Sequence, residues 1–334
     1  MKKIVLVLFI LSFNVVVRSV ANPFNSIIDV KNQLYTYVKL LSDLDSLQNR
    51  YPECISYELR DTTYQGRQLA VVYLGNRDAK KHIMIQASIH AREYMSTQLV
   101  MAMLEYYAKY YKTGSIKNIA YTKLFNEVCI VIIPMVNPDG VSISQFGEKG
   151  ALTKDVKSWI KKQALLGKDY KQIKSNARGV DLNRNFSNGF GKGSVIRKSK
   201  SYDNYQGPFP YSENETKLML EISRQYDYCC FINYHTSGNI IYYGCKNAKY
   251  NVNAQALKIA KMVKARNGYP LYGPKVQKTN GSWGDEVEMI YQRPSVTIEI
   301  GTKNPVPISE LNNIFNKNVK VWADLAYAIF KDQI

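Results

Sequence analysis

Gln86-Ala-Ser-Ile-His-Ala-Arg-Glu-Tyr94 closes an apolar run, and its reading decides the fold. Ile83 to Ile89 has the composition of a strand, and His90 follows it directly. Glu93 stands three residues on, so one local segment offers two metal-ligand side chains. Such a pair alone is weak evidence for a metal; its meaning depends on a third ligand. The chain holds 3 histidines, His82, His90 and His235. Two histidines, one glutamate and an open fourth position are the ligand set of a catalytic zinc. His235 also ends an apolar run, Tyr228 to Tyr234. His82 is the competing third ligand, but it lies at the polar start of its strand and reads as a surface residue.

Outward from this stretch, strand and helix patterns alternate. Leu34, Val38, Leu41, Leu44 and Leu47 recur at helical spacing ahead of Tyr51-Pro52. Ile55 to Leu59 and Leu69 to Leu74 read as strands joined through a Gln65-Gly66 turn. Ser96 is expected to cap a helix running to about Tyr111. Val128 to Val136 is almost wholly apolar, as in a strand buried on both faces, and Asn137-Pro-Asp-Gly140 reads as a turn. From Val141 to Asp181 a polar, basic segment reads as an elaborated loop with a short helix near Trp159. Ser212 and Glu215 have capping-box spacing and predict a helix to about Tyr226. Ile240 to Tyr243 and Val296 to Ile300 are further strands, Val252 to Arg266 a helix stopped at Asn267-Gly268, and Ser309 to about Phe330 a closing helix. With no internal repeat or linker, this alternation predicts one α/β domain. Sites in open α/β sheets lie at the carboxyl ends of strands. His90, Asn137, His235 and Glu299 all follow or close predicted strands, so one rim of one sheet would bring them together.

The bulk composition narrows the classes. With 334 residues, 46% of them hydrophobic, a proper core is available. A balance of 45 Lys+Arg against 27 Asp+Glu, net +18, favours anionic partners, but no basic run has nucleic-acid-motif spacing, so no nucleic-acid partner is expected. Five cysteines (Cys54, Cys129, Cys229, Cys230, Cys245) without CxxC spacing exclude a disulfide scaffold and a paired-cysteine zinc site. Lys2, Lys3, apolar Ile4 to Phe13 and Ser19-Val-Ala21 predict a secretory signal over residues 1–21, ahead of a catalytic domain over 22–334. The apolar part is short for a span and Arg18 interrupts its tail, so no stable membrane insertion is expected after cleavage. The expected location is extracellular or at the cell wall.

Five segments in order carry a resemblance. His90-Ala-Arg-Glu93, Asn137-Pro-Asp-Gly140, Gly179-Val-Asp-Leu-Asn-Arg-Asn-Phe186, Tyr234-His-Thr-Ser-Gly238 and Thr297-Ile-Glu-Ile-Gly301 resemble the motif series of the zinc carboxypeptidase family. The resemblance runs from about Gln33 to the C-terminus. It implies a mixed sheet of about eight strands sandwiched between helices, with one zinc ion on His90, Glu93 and His235. It implies Glu299 as general base, and Asn183 and Arg184 as the grip on a substrate carboxylate, with Arg92 beside them. These roles are chemically sound: a carboxylate can carry the proton from water to the leaving amine, and a guanidinium fork binds a carboxylate bidentately.

Two positions depart from the family. The arginine that often stabilises the oxyanion is replaced by Lys174, with Arg178 in reserve; a lysine supplies the charge without the fork. No tyrosine stands just before Gly281-Ser282, where digestive members place a mobile one, and Tyr269 and Tyr272 lie upstream. After the signal there is too little chain for the inhibitory propeptide of the digestive enzymes. Lys174 to Arg184 and Tyr234 to Tyr242 resemble bacterial members, some of which cut γ-D-glutamyl–diaminopimelate bonds. The expected substrate is therefore a peptide, with peptidoglycan stem peptides favoured over ordinary peptide C-termini. A zinc amidohydrolase removing acyl groups and a catalytically dead binding relative are the weaker readings. Around Ser282-Trp-Gly-Asp285, the expected specificity pocket, Asp285 or Glu286 would meet a substrate amine or else be a solvated loop carboxylate.

Overall fold

Eight strands form one mixed sheet: β1 (Ile55–Thr62), β2 (Gln68–Leu74), β3 (Lys81–Ala87), β4 (Val128–Ile133), β5 (Tyr228–Thr236), β6 (Ile240–Tyr243), β7 (Leu271–Tyr272) and β8 (Ser295–Ile300). The computed structural model describes residues 26–193, 195–274 and 280–334; the expected signal over residues 1–21 lies outside them. The spatial order is β1-β2-β4-β3-β5-β8-β6-β7. β4, β3, β5 and β8 run parallel, so their carboxyl ends share one rim. β2 pairs antiparallel with β4 on one side, and β6 antiparallel with β8 on the other.

Helices cover both faces, which is why the central strands read as continuous apolar runs and not as an alternation. Ile83, Ile85, Ile130, Ile132, Ile232 and Ile298 pack into one core, while Met84, Cys129, Val131, Ile133 and Phe231 pack into the other. The first core is closed by α1 (Tyr37–Arg50), α2 (Tyr94–Lys109), α3 (Tyr121–Glu127) and residues of four later helices. Thr36 Oγ1 caps α1 by accepting from Lys39 N at 3.1 Å.

Between β4 and β5 the structure departs from the sequence reading. Asn137-Pro-Asp-Gly140 is not a turn but the start of α4 (Pro138–Phe146). Asn137 is its N-cap, accepting from Gly140 N at 2.9 Å, and Pro138 occupies the first turn. Asn and Pro signal turns and helix starts alike. The expected loop over 141–181 therefore holds most of α4 as well as α5 (Lys154–Leu165), the helix anticipated near Trp159. Next comes α6 (Asn214–Ser223). Glu213 occupies its N-cap position without a side-chain capping bond, so the Ser212/Glu215 capping box is not made. Ser212 Oγ instead donates to Glu213 Oε1 at 2.6 Å and accepts from Asn185 Nδ2 at 3.0 Å.

α7 (Tyr250–Asn267) ends where predicted, with Gly268 in the left-handed region at φ 74°. A short α8 (Trp283–Glu286) precedes β8. The closing helix is two, α9 (Leu311–Asn318) and α10 (Val321–Phe330). Ser96 is also not a cap: α2 begins at Tyr94, and Ser96 Oγ donates to Glu93 O at 2.7 Å. His82 is not a surface residue either. It is buried, stacked on Tyr226 at 3.9 Å, with Nε2 3.0 Å from Arg77 O. It sits at the amino end of β3, the opposite pole of the sheet from His90, which removes it as a metal ligand. Among the described residues, no helix is long and apolar enough to cross a membrane.

Candidate active site

The parallel register sets the site. Glu299 on β8 pairs with His235 on β5, and Ala87 at the end of β3 pairs with Tyr234 beside it. After Ala87 the chain turns through Ser88, at φ 50°, and a single 3-10 turn, Ala91–Glu93, swings Glu93 back beside His90. His90 Nδ1 then lies 2.8 Å from Glu93 Oε1, and His235 Nδ1 lies 3.0 Å from Glu93 Oε2. One ligand atom from each of His90, Glu93 and His235 fits within 4.8 Å of the others. Thr236 N donates to Glu93 Oε2 at 3.2 Å, which fixes the carboxylate.

The outer nitrogens of both rings test whether this cluster suits a metal. If Nδ1 ligates, Nε2 carries the hydrogen and needs an acceptor. His90 Nε2 faces Asp181 Oδ1 at 3.3 Å. His235 Nε2 faces Gln86 Nε2 at 3.4 Å, while the buried Gln86 Oε1 has no partner. A half-rotation of that amide gives both atoms a hydrogen bond. The two histidines thus present Nδ1 inward, with Asp181 and Gln86 facing their outer nitrogens, an arrangement that suits a zinc ion. Burial opposes charge on His90, but Glu93 and Asp181 raise its pKa above the ordinary value. Burial would raise Glu93 as well, yet His90 and His235 hold it below the usual carboxylate range.

A cavity of about 430 Å³ opens over these ligands, lined among others by Arg92, Lys174, Asn183, Arg184, Asp285 and Glu299. Glu299 is half-buried at its wall. Desolvation, then the neighbouring Glu93, pushes its carboxyl up to about 8, against the pull of His90, Lys174 and Arg92. A divalent cation beside it opposes that shift. Lys174 reaches the cavity because its segment is stitched to the ligand turn. Ala91 N donates to Lys174 O and Arg92 N to Ile173 O, both at 3.0 Å. Asn137 Nδ2 adds bonds to Ile89 O at 3.3 Å and Lys174 O at 3.4 Å.

Asn183 and Arg184 lie on a 3-10 turn, Leu182–Arg184. Asn183 Oδ1 accepts from Trp283 N at 2.9 Å, tying this turn to α8. Gly281 permits that approach: at φ +71° a Cβ there would fall 2.4 Å from Arg184 O.

Arg178 stands apart from the cavity. Its guanidinium is 3.5 Å from Glu213 Oε1 and lies over the Tyr64 ring, so it cannot serve as the reserve for Lys174. Glu286 is also elsewhere, accepting from Asn188 N at 3.0 Å and Ser187 Oγ at 3.0 Å. Asp285 is the carboxylate that lines the cavity, and it is buried, not a solvated loop residue. Tyr269 is buried in the first core, and residues 275–279 before Gly281 lie outside those described. Site residues that the sequence reading missed include Asp181 and Asn304. Asp181 lies inside a motif already singled out. Asn304, whose Nδ2 donates to Thr236 O at 3.1 Å, had no local signal.

Known proteins bear on this geometry. The sequence pattern of the zinc carboxypeptidases matches residues 40–304. A gamma-D-glutamyl-L-diamino acid endopeptidase of Lysinibacillus sphaericus is 26% identical over 297 residues, 87% of this chain and 72% of its own length. Carboxypeptidase A2 of Rattus norvegicus is 28% identical over 218 residues, 64% of this chain; the match spans about half of that relative, 48%. The crystal structure of thrombin activatable fibrinolysis inhibitor superposes with a TM-score of 0.72 at 18% identity, covering 92% of this chain and 77% of that one. With the family pattern covering the whole run from α1 to the loop beyond β8, and its one-zinc ligand set assembled at the sheet rim, the chain belongs to the zinc carboxypeptidase family of metallopeptidases.

Proposed function

We propose that this enzyme is secreted and hydrolyses the peptide bond before a residue that carries a free carboxylate, in the stem peptides of cell-wall murein. The observation that carries the reading is a single cavity holding His90, Glu93, His235, Glu299, Lys174 and Arg184. Similarity to an endopeptidase named for a gamma-D-glutamyl-L-diamino acid bond supports the substrate. The net charge of +18 favours adsorption to anionic wall polymers.

When bound, zinc supplies Lewis acidity toward a water and the scissile carbonyl. Arg184 holds the terminal carboxylate with the N–H groups not given to Asn183 O, to which its Nη1 donates at 2.7 Å. Glu299 accepts the proton of the attacking water and returns it to the leaving nitrogen. Lys174 places positive charge where negative charge develops on the former carbonyl oxygen. Asp181 and Gln86 keep the ligand rings in place.

The second reading, release of C-terminal residues from ordinary peptides, is favoured by the similarity to carboxypeptidase A2. Incubating the zinc-loaded enzyme with purified wall peptides and with blocked dipeptides, and weighing the products by mass spectrometry, separates the two. Release of the diamino acid from a stem tripeptide supports murein. Cleavage confined to α-linked L-amino-acid termini rejects it.

A further inference from the structure

Outside the catalytic cavity, the carboxyl end of α5 carries a surface that the peptidase chemistry does not use. α5 packs through one stripe, Val156, Trp159 and Ile160, into a third core that also holds Ile173 and Tyr202. Leu165 and Leu166 take no part in that core. Leu165 is 81% exposed and Leu166 65%. The helix end beneath them is closed. Gly167 N donates to Ala164 O at 2.9 Å and Lys168 N to Gln163 O at 3.0 Å, with Gly167 in the left-handed region at φ 73°. Such a cap commonly joins an apolar residue after the glycine to one in the last turn. Here those positions hold Lys168 and Gln163, so the cap leaves both leucines in water.

Lysines surround the pair. Residues 154–171 contain Lys154, Lys157, Lys161, Lys162, Lys168 and Lys171 against Asp155 and Asp169. Among the described residues, the lysines that pair with carboxylates are Lys39, Lys81 and Lys112, all elsewhere. The two aspartates are engaged locally: Asp155 Oδ2 accepts from the Tyr64 hydroxyl and Asp169 Oδ1 from Lys171 N, both at 2.9 Å. Lys161 precedes Leu165 by one helical turn, and Lys162 precedes Leu166 likewise, so each leucine shares a helix edge with an ammonium.

A soluble polyanion would meet these lysines and leave the leucines exposed. An anionic bilayer meets both. Its phosphates take the ammonium groups, its acyl boundary takes the leucines, and the lysine stems lie along the lipid with their heads among the headgroups. We propose that the carboxyl end of α5 docks on an anionic phospholipid surface, with Leu165 and Leu166 inserted and the surrounding lysines on headgroup phosphates. This is peripheral docking through side chains, not a span, and it does not depend on which peptide bond is cut. The tip also stands beside the catalytic cavity. Gln172 Oε1 accepts from Arg92 Nη1 at 3.1 Å, and the chain from Leu166 to Gln172 reaches at most about 20 Å. Docking therefore holds the cavity mouth close to the membrane.

The test sediments the full zinc-loaded chain with vesicles of phosphatidylcholine alone or with one-third phosphatidylglycerol. The parent should partition onto the mixed vesicles at least about tenfold more strongly than onto the neutral ones. Because a net charge of +18 draws the whole chain to any anionic surface, variants locate the contact. Leu165→Ser/Leu166→Ser keeps the charge and should lower partition at least about tenfold. Lys161→Gln/Lys162→Gln should lower it by about tenfold or more. Lys80→Gln/Lys123→Gln removes equal charge beside the amino ends of β3 and β4 and should lower it by about threefold or less. Leu165→Trp should add emission that shifts to the blue on the mixed vesicles and not on the neutral ones. A serine variant that partitions like the parent overturns the proposal. So does an equal loss in the two lysine pairs, or a Leu165→Trp emission unmoved by bound vesicles. Lipid-free poly(glycerol phosphate) is the rival ligand. If it binds the parent as tightly per phosphate as the mixed vesicles do, and the serine variant no less, the surface is a polyanion site and the lipid is rejected.

Discussion

Asp181 Oδ1 stands 3.3 Å from His90 Nε2, on the side of the ring away from Glu93. Asp181 is fully buried, and its other oxygen accepts from Asn204 N at 3.0 Å. Burial alone would raise its pKa, but His90, then Arg184 and Lys174, hold it far below the usual carboxylate range. It is an anion built into the frame of the site. Asp181→Ala should weaken zinc binding by about 10–100-fold, the usual effect of losing a ligand's outer partner. Competition with a chelator measures this; affinity within threefold of the parent would show that Asp181 does not orient the ligand.

Glu299→Gln keeps the shape of the side chain and removes its basicity. The expected result is zinc content near one per chain with kcat reduced by about 10²–10⁴. Metal analysis alongside the kinetics is essential, because lost zinc would produce the same inactivity for another reason. A variant that retains both zinc and turnover would remove Glu299 from the proton path.

Lys174 and Arg178 make opposite predictions. Lys174 lines the cavity, whereas Arg178 faces Glu213 and Tyr64. Lys174→Ala should lower kcat by about 10²–10³ with little change in KM, as loss of an oxyanion donor does. Arg178→Ala should leave both constants near the parent. Reversed outcomes would mean that the side chains exchange roles on substrate binding.

Arg184→Ala should abolish discrimination between substrates with free and amidated C-termini. Arg184→Lys should restore it only in part, because an ammonium lacks the bidentate fork. Paired kcat/KM values for the two substrate forms decide this, and a preference that survives in the alanine variant moves the carboxylate grip elsewhere.

The legible parts of the molecule were those that a short segment encodes by itself. Val128 to Ile133 and Tyr228 to Thr236 are strands enclosed on both faces, so their apolar runs spell out both the strand and its central place. The gathering of His90, His235 and Glu299 at one rim was legible because each ends or follows such a strand and a parallel sheet brings those ends together, and Glu93 comes with His90 on the same local turn. Asn137 was misread because a residue that caps a helix and one that opens a turn look alike until the partner of its side chain is known. Asp181 and Gln86 were passed over for a related reason. Each acts through an atom aimed at a residue far away in the chain, and nothing in the neighbouring sequence encodes that aim.

Glu215 provides the last prediction, because it occupies the place where a capping box was expected and is instead buried among acids. Desolvation, then Asp139 and Glu213, pushes its carboxyl up to about 8, although Asn176 Nδ2 donates to its Oε1 at 3.3 Å. The folded chain therefore holds Glu215 neutral, while the unfolded chain ionises it near the ordinary glutamate value of about 4.3. Its contribution to stability is complete below that value and is lost progressively as pH rises toward 8, since the unfolded state gains the ionisation that the fold withholds. Glu215→Gln keeps the acceptor for Asn176 and cannot ionise. Urea unfolding should then show the variant close to the parent at pH 4.5 and more stable at pH 8, by an amount on the order of a few kcal/mol. An equal difference at both pH values would point to packing, and a variant less stable at pH 8 would mean that Glu215 is ionised in the folded protein.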